Sequence, residues 1–306
     1  MSVTRDTYDK TLITLLVVTL AACLWATNVP ADEAKPLRVL LTNDDGYNSP
    51  GIMAVRESLL AAGHEVVLVA PMSNQSGSGM RVTISGMLDF SEASPGIWHV
   101  DGTPADAVLV ALQQLMKDEP PDIIVSGANF GPNLGYASSS GTVGAATMAM
   151  YLGFPAIAVS VGVSASEADA EPVPFPSTFA AFAGAAELIV ELLDDLRAAR
   201  ADYGDLLPAH ALLNVNYPPA GPDAIQGVRV VPVSWDPGVR IQYVESEAGS
   251  QFQVQLSGAD PGETDEEDLE WQWFARGYVT ISVLDGKPDA PPFLRDAVSG
   301  RLSSIE

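Results

Sequence analysis

Two aspartates stand side by side in the string Asn43-Asp44-Asp45-Gly46, directly after the apolar run over 37–42. Adjacent carboxylates repel, and neighbouring side chains on a strand point to opposite faces, so the pair converges only where the chain is already turning. Gly46 permits such a turn, and a hard divalent cation would relieve the repulsion. Taken alone, the string reads equally as an Asx-type turn with a solvated acid. A second polar, glycine-rich segment is Ser73-Asn74-Gln75-Ser76-Gly77-Ser78-Gly79, which offers hydroxyls and N–H groups to an anion. A third is Ser126-Gly127-Ala128-Asn129-Phe130-Gly131-Pro132-Asn133, followed by Ser138-Ser139-Ser140-Gly141-Thr142. Hydroxyls and glycine opening a helix suit an anion, because the first N–H groups and the helix dipole face it. The asparagines can supply amide oxygen to a hard cation or simply form turns.

For these segments to meet, the elements before them must end at one rim. The run over 37–42 reads as a buried strand, Ser49-Pro50 as a helix start, and Ile52, Val55, Leu59 and Leu60 as a helical face closed by Gly63. The stretch 65–70 is the next strand, giving a β-α-β unit with parallel strands and a right-handed crossover. The alternation continues with strands over 97–100, 122–125 and 156–161, and with helices over 104–115, 141–152 and 178–200, the last capped by Ser177. Strands over 211–215 and 228–233 follow, then a hairpin of 241–244 and 252–256 around Gly249, a solvated acidic loop over 260–270, and a strand over 277–283. This order predicts an α/β fold: a Rossmann-like, doubly wound, mostly parallel sheet with a C-terminal β-hairpin extension. The expected division is a core over 37–235 and an extension with tail over 236–306. In open sheets of this kind ligands bind beyond the carboxyl ends of the strands, where all three polar segments fall.

Charge limits the partners. Thirty-nine acidic residues against 15 basic ones give a net charge of −24, which repels nucleic acid polymers and anionic membranes. It also opposes an anionic ligand, and between 37 and 160 the basic residues are Arg38, Arg56, Arg81 and Lys117 alone. A bound phosphate would therefore need a metal ion and main-chain N–H groups. With one cysteine, Cys23, and three histidines, a soft thiolate site is excluded, and any metal should be magnesium, manganese or calcium on oxygen ligands. Ahead of the core, Arg5 and Lys10 precede an uncharged stretch over 11–26, shorter than the ~20 apolar residues of a membrane span and suited to a signal peptide within 1–31. Leu20-Ala21-Ala22-Cys23 resembles a lipobox, which would make a lipid anchor at Cys23 the only membrane contact; Val29-Pro30-Ala31 fits ordinary cleavage instead. Export to the periplasm or cell envelope is expected.

Several strings in order resemble the SurE family: Leu41-Thr42-Asn43-Asp44-Asp45-Gly46, Val69-Ala70-Pro71 with Asn74-Gln75-Ser76-Gly77, Asp101-Gly102-Thr103-Pro104-Ala105-Asp106, Val125 to Asn133, and Ser140-Gly141-Thr142-Val143-Gly144-Ala145. Leu213-Asn214-Val215-Asn216 and Gly277-Tyr278-Val279-Thr280-Ile281 extend the likeness over nearly all of the mature chain. The resemblance implies a nucleotidase acting on nucleoside 5′- or 3′-monophosphates, with broader phosphatase or polyphosphatase activity, and a homodimer or homotetramer built through the hairpin. It implies one divalent metal ion held by Asp44, Asp45, Ser76 and Asn129. The chain departs from the family where Met72, Ser73 and Gln75 replace acidic and basic residues, where Ala107 replaces a cysteine, and in its export signal.

On that footing the expected reaction is metal-assisted hydrolysis of a phosphate ester. Asp44, Asp45 and Asn129 are the expected catalytic residues, with Asp44 as the general base. Asn43, Asn133, Ser140, Gly141 and Thr142 are expected to hold the substrate. A nucleotide-dependent transferase or oxidoreductase would show Gly-x-Gly-x-x-Gly after the first strand, and a serine hydrolase would show Gly-x-Ser-x-Gly; neither is present. A noncatalytic exported nucleotide-binding protein on the same fold is the remaining alternative.

Overall fold

The computed structural model describes residues 35–135, 137–168, 170–234, 239–246, 249–258, 269–287, 292–299 and 301. The export segment expected within 1–31, Cys23 included, lies outside the described residues, as does most of the acidic run.

The strand β1 (Arg38–Thr42) is buried from Val39 onward. Val39 and Leu41 join one apolar cluster and Leu40 the other, so the strand is covered on both faces. A continuous apolar run is what a central strand of a parallel sheet requires. β1 pairs in parallel with β2 (Glu65–Pro71) on one side and with β5 (Ile123–Phe130) on the other. With β3 (Phe90–Ser94), β4 (Ile97–Val100), β6 (Ala156–Val161), β7 (Leu212–Tyr217), β8 (Val228–Val230) and β11 (Val279–Leu284), the sheet has nine strands in the order β3-β4-β2-β1-β5-β6-β7-β11-β8. β3 and the β11–β8 pair run against the parallel centre. β9 (Val239–Glu245) and β10 (Phe252–Gly258) form a separate antiparallel hairpin.

Helices cover both faces. On one, α1 (Pro50–Ala61) packs Ile52, Val55 and Leu59 with Ala181, Phe182, Ile189 and Leu193 of α4 (Pro176–Tyr203). On the other, α2 (Pro104–Val110), prolonged by a π-helical turn over 111–115, lies with α3 (Gly141–Tyr151). α4 is long and apolar enough to cross a membrane, but its Phe182, Ala185, Ile189 and Leu193 are spent on the core beside α1. α1 sits close to the sheet at Gly51, where a Cβ would come within 2.0 Å of the Ala128 carbonyl oxygen. Only glycine allows that approach. The fold class is the expected one.

Several boundaries differ from the sequence reading. β5 runs on to Phe130, because Asn129 and Phe130 re-pair with Ser160 and Val161 after a break in register beyond Ser126. α4 starts at Pro176 with Phe175 in the cap position, while Ser177 donates both its N–H and its hydroxyl to the Glu167 carboxylate. β3 and a last helix, α6 (Pro292–Ser299), are elements that the sequence reading does not include. Glu270, taken for part of a solvated loop, is fully buried at the start of α5 (Glu270–Ala275). Its carboxylate accepts from the Gly135 N–H and, at 2.8 Å, from the Ser282 hydroxyl. Because β11 belongs to the nine-stranded sheet, 236–306 is not one extension: the core takes back its last strand.

Candidate active site

The chain leaves β1 for β2 on one side and returns for β5 on the other, so the strand order reverses beside β1. Such a switch point opens a crevice at the carboxyl ends. Asp44 and Asp45 sit there. The preceding Asn43 is fully buried; its Nδ2 donates to the Gly46 carbonyl (2.9 Å) and the Ser49 hydroxyl (2.8 Å), and its Oδ1 accepts from the Gly46 N–H (3.2 Å). Asn43 was expected at the substrate. Its amide instead closes the turn that lets adjacent aspartates converge.

Asp44 is 3 % exposed. Its Oδ1 accepts from the Thr142 hydroxyl at 2.6 Å, and main-chain N–H groups of Gly141 and Thr142 also face the carboxylate. The anion at the start of α3 is thus the protein's own. This explains Gly141: a Cβ there would lie 2.7 Å from the Asp44 Cβ and 2.8 Å from its Oδ2. Ser140, expected to bind substrate, accepts from the Val143 N–H at 3.1 Å and caps its own helix. Ser140, Gly141 and Thr142, the expected substrate contacts, lie in the layer that positions Asp44. Burial raises the Asp44 pKa, opposed by these hydrogen bonds. The Thr142 hydroxyl and the first amides of α3 hold the Asp44 carboxylate in one place.

Asp45 ties the other loops together. Its Oδ2 accepts from the Phe130 N–H at 2.8 Å, next to Asn129, and its Oδ1 accepts from Asn74 Nδ2 at 3.2 Å. The Asn74 Oδ1 in turn accepts from the Ser76 N–H at 2.9 Å, while the Gln75 N–H donates to the Asp44 carbonyl at 2.7 Å. The second loop is also fastened to the third, by Gly79 N–H to the Ser139 carbonyl at 3.1 Å. Asn129, 8 % exposed, donates its Nδ2 to the Gly131 carbonyl at 2.6 Å, which leaves its Oδ1 as the end a cation could use. Asp44, Asp45, Ser76 and Asn129 are thereby brought to one rim by bonds between their own loops. Asn133, also expected at the substrate, is instead bound below: its N–H donates to Asn216 Oδ1 (2.7 Å), its Nδ2 to the Ser160 hydroxyl (2.7 Å), and its carbonyl accepts from Asn214 and Asn216. It anchors the third loop on β6 and β7. Asn214, which the sequence placed in a family-like string without a role, and Glu270, which it did not single out, support the same loop from beneath. Their signal was weak, since a buried asparagine on a strand or a glutamate in an acidic run carries no mark of its partner.

The electrostatics leave a charge unanswered. Burial and, secondarily, the neighbouring Asp44 charge raise the Asp45 pKa to about 6, against the Phe130 N–H. Among the described residues no lysine or arginine pairs with either aspartate; Arg38 pairs with Glu119 and Glu65, and Arg81 reaches only the Gln75 side chain at 3.3 Å. The Ser78 hydroxyl is buried without a hydrogen-bond partner and lies 2.8 Å from the point where a Gly141 Cβ would stand, as does Asp44 Oδ2. Two carboxylates, hydroxyls and an amide oxygen form the hard donor set of magnesium, manganese or calcium. The residues fit one divalent cation.

The family model described as "Survival protein SurE" matches residues 39–237. A protein of Rhizorhabdus wittichii named "5′-nucleotidase SurE" is 36% identical over 256 residues, which cover 81% of this chain and 93% of that one. The "5′-nucleotidase SurE" of Nitratidesulfovibrio vulgaris is 37% identical over 253 residues, 80% of this chain and 86% of its own. The crystal structure of the SurE protein from Aquifex aeolicus superposes with a TM-score of 0.67 at 30% identity, covering 86% of this chain and 99% of that one.

Two expectations follow from the geometry. Thr142→Val keeps the shape but removes the hydroxyl from a buried carboxylate, and should cost about 1–3 kcal/mol of unfolding free energy in EDTA, measured by urea titration; Thr142→Ser should recover most of it. The second concerns pH. A carboxyl whose folded pKa lies above its unfolded value favours the fold when protonated, so that contribution is full below about pH 4 and lost as pH rises through about 6. The melting temperature of metal-free protein should therefore fall from pH 5 to 7 more steeply than that of Asp45→Asn, and manganese should flatten the difference.

Proposed function

The chain belongs to the SurE family, and from that premise we propose that it is a divalent-metal-dependent phosphatase, hydrolysing nucleoside monophosphates to nucleoside and phosphate. The relatives' name, 5′-nucleotidase, points to 5′-monophosphates first, with 3′-monophosphates and other phosphate esters as further substrates. One observation carries the reading: a buried aspartate pair at the switch point, its loops bonded together and its charge met by no basic side chain.

Asp44, Asp45, Ser76 and Asn129 would hold the ion. When bound, such an ion offsets the charge of the phosphoryl oxygens and lowers the pKa of water. The chain's part is placement. The start of α3 fixes Asp44, the Phe130 N–H fixes Asp45, and the loop carrying Ser76 and Gly77 is left to face the ester. In so acidic a protein, this arrangement spares the substrate a direct meeting with unneutralised carboxylates.

We also propose assembly with further copies of the chain through the β9–β10 hairpin. Ile241, Tyr243, Val244, Phe252 and Val254 are all exposed on it, and a free two-stranded hairpin is marginal in water. A second copy would cover these side chains.

Phosphate release from a nucleotide panel should require manganese or magnesium, vanish in EDTA, and drop by at least ~10²-fold in Asp44→Asn. Release untouched by EDTA and by Asp44→Asn would sink the metal reading; nucleotide binding without release would favour a noncatalytic role. Sedimentation should show a dimer or larger species that dissociates when residues 239–258 are replaced by a short Gly-Ser turn. A monomeric wild type would rule out the hairpin's role.

A further inference from the structure

Phe130 has two functions to perform at once. Its N–H holds Asp45 Oδ2 at 2.8 Å, while its ring meets Phe175 edge-on (centroids 5.5 Å, 80°) and Phe179 at a tilt (5.6 Å, 50°). Phe179 in turn packs edge-on against Phe182 (6.0 Å, 76°), whose ring is buried between α4 and the sheet. Three aromatic rings are therefore clustered around the residue whose N–H holds Asp45, anchored in the core through a fourth. They are not sealed: Phe179 is 39 % exposed, and Phe130 and Phe175 are half-buried.

Apolar packing alone does not account for the arrangement. Phe175 has φ 56° and ψ 48°, the left-handed region, where an L residue with a bulky side chain is an outlier costing about 1–2 kcal/mol. It stands immediately before Pro176, at a helix start that ordinarily takes a serine, threonine or aspartate. The loop before it is cinched to keep it there. The Phe175 N–H donates to the Glu167 carbonyl at 3.0 Å, and the Glu167 carboxylate accepts from Ser177 N–H (3.0 Å) and hydroxyl (2.7 Å). Strain held this firmly at the mouth of a site is a sign of use. The result is an apolar ledge one side-chain length from the amide that fixes Asp45.

We propose that Phe130, Phe175 and Phe179 form the surface on which the base of the nucleoside monophosphate stacks, an inference that rests on the phosphatase reading above. The chemistry suits this protein. The phosphate must be reconciled with a chain of net charge −24, but the base is uncharged and gains from aromatic faces whatever the field. Phenylalanine rings offer no hydrogen-bonding group to a base edge, so the ledge selects by the size of the aromatic face and not by the base's hydrogen-bonding pattern. Purines, with the larger face, should be preferred to pyrimidines, and esters lacking a base should be poor substrates.

The test compares AMP with ribose 5-phosphate under the same metal. In the wild type the kcat/KM ratio should favour AMP. Phe179→Ala should lower that ratio about tenfold, the scale of one base–aromatic contact, and Phe179→Trp should keep it. Phe175→Gly provides a control for folding, because glycine is at ease at this φ: the ratio should fall although thermal stability does not. A ratio unmoved by both Phe179→Ala and Phe175→Gly, with phosphate still released from both substrates, would overturn the ledge and leave the phosphatase reading standing. Should neither substrate release phosphate, that reading fails, and saturation-transfer NMR with adenosine decides the ledge: base protons receive saturation from the wild type and lose it in Phe179→Ala, or, against the proposal, receive it equally from both.

Discussion

A buried carboxylate placed against the first turn of α3 governs this site. Asp44 is almost wholly removed from water, and an isolated charge there would neutralise itself by taking up a proton. The Thr142 hydroxyl and the first amides of the helix answer part of that cost, since unpaired N–H groups and the helix dipole favour an anion. Asp45 has a weaker arrangement, one amide from Phe130 and one from Asn74, and must also bear the neighbouring charge. The pair is therefore only partly compensated by the protein. A hard cation, as proposed above, would supply the compensation that the helix leaves unmade.

That requirement propagates outward. Asp44 reaches the helix only because residue 141 has no side chain, and the helix can stand so close only because Ser140 caps it without projecting into the crevice. The third loop must then hold its course between β5 and α3, and it is fastened from below at Asn133 by Asn214, Asn216 and Ser160, and at Gly135 by Glu270. Glu270 is itself buried with a raised pKa and accepts from the Gly135 N–H and the Ser282 hydroxyl, so the loop rests on a buried polar layer. The residues that touch the expected ion are thus few, while those that make their positions possible extend across β6, β7 and β11.

Much of this was legible in the chain. An apolar strand ending in adjacent carboxylates, followed by proline and a helical apolar face, leaves little freedom in where Asp44 and Asp45 lie, and the polar loops after β2 and β5 were correctly placed at the same rim. What sequence could not show was how each polar group is used. Ser140, Thr142, Asn43 and Asn133 have the chemistry of substrate contacts, yet each is taken up by a partner far along the chain or by its own turn. Spacing reveals which groups are available; only the tertiary path reveals which are already engaged. The same holds for Glu270, which local composition assigns to solvent and the fold buries.

Phe130 shows how the two kinds of information combine. In sequence it is one residue between Asn129 and Gly131, without periodicity to recommend it. In the fold its main chain serves the charged half of the crevice and its ring the apolar half, because β5 carries on past Ser126 and brings residues 129 and 130 back into register with β6. A substrate that is an anion at one end and an aromatic at the other presents the same division. Were the crevice polar throughout, recognition would rest on the phosphate alone, and a chain this acidic would have only the cation with which to hold its ligand. Setting uncharged rings around the residue whose N–H holds Asp45 supplies a second source of affinity that the protein's own field does not oppose, and it does so through a residue already committed to the first.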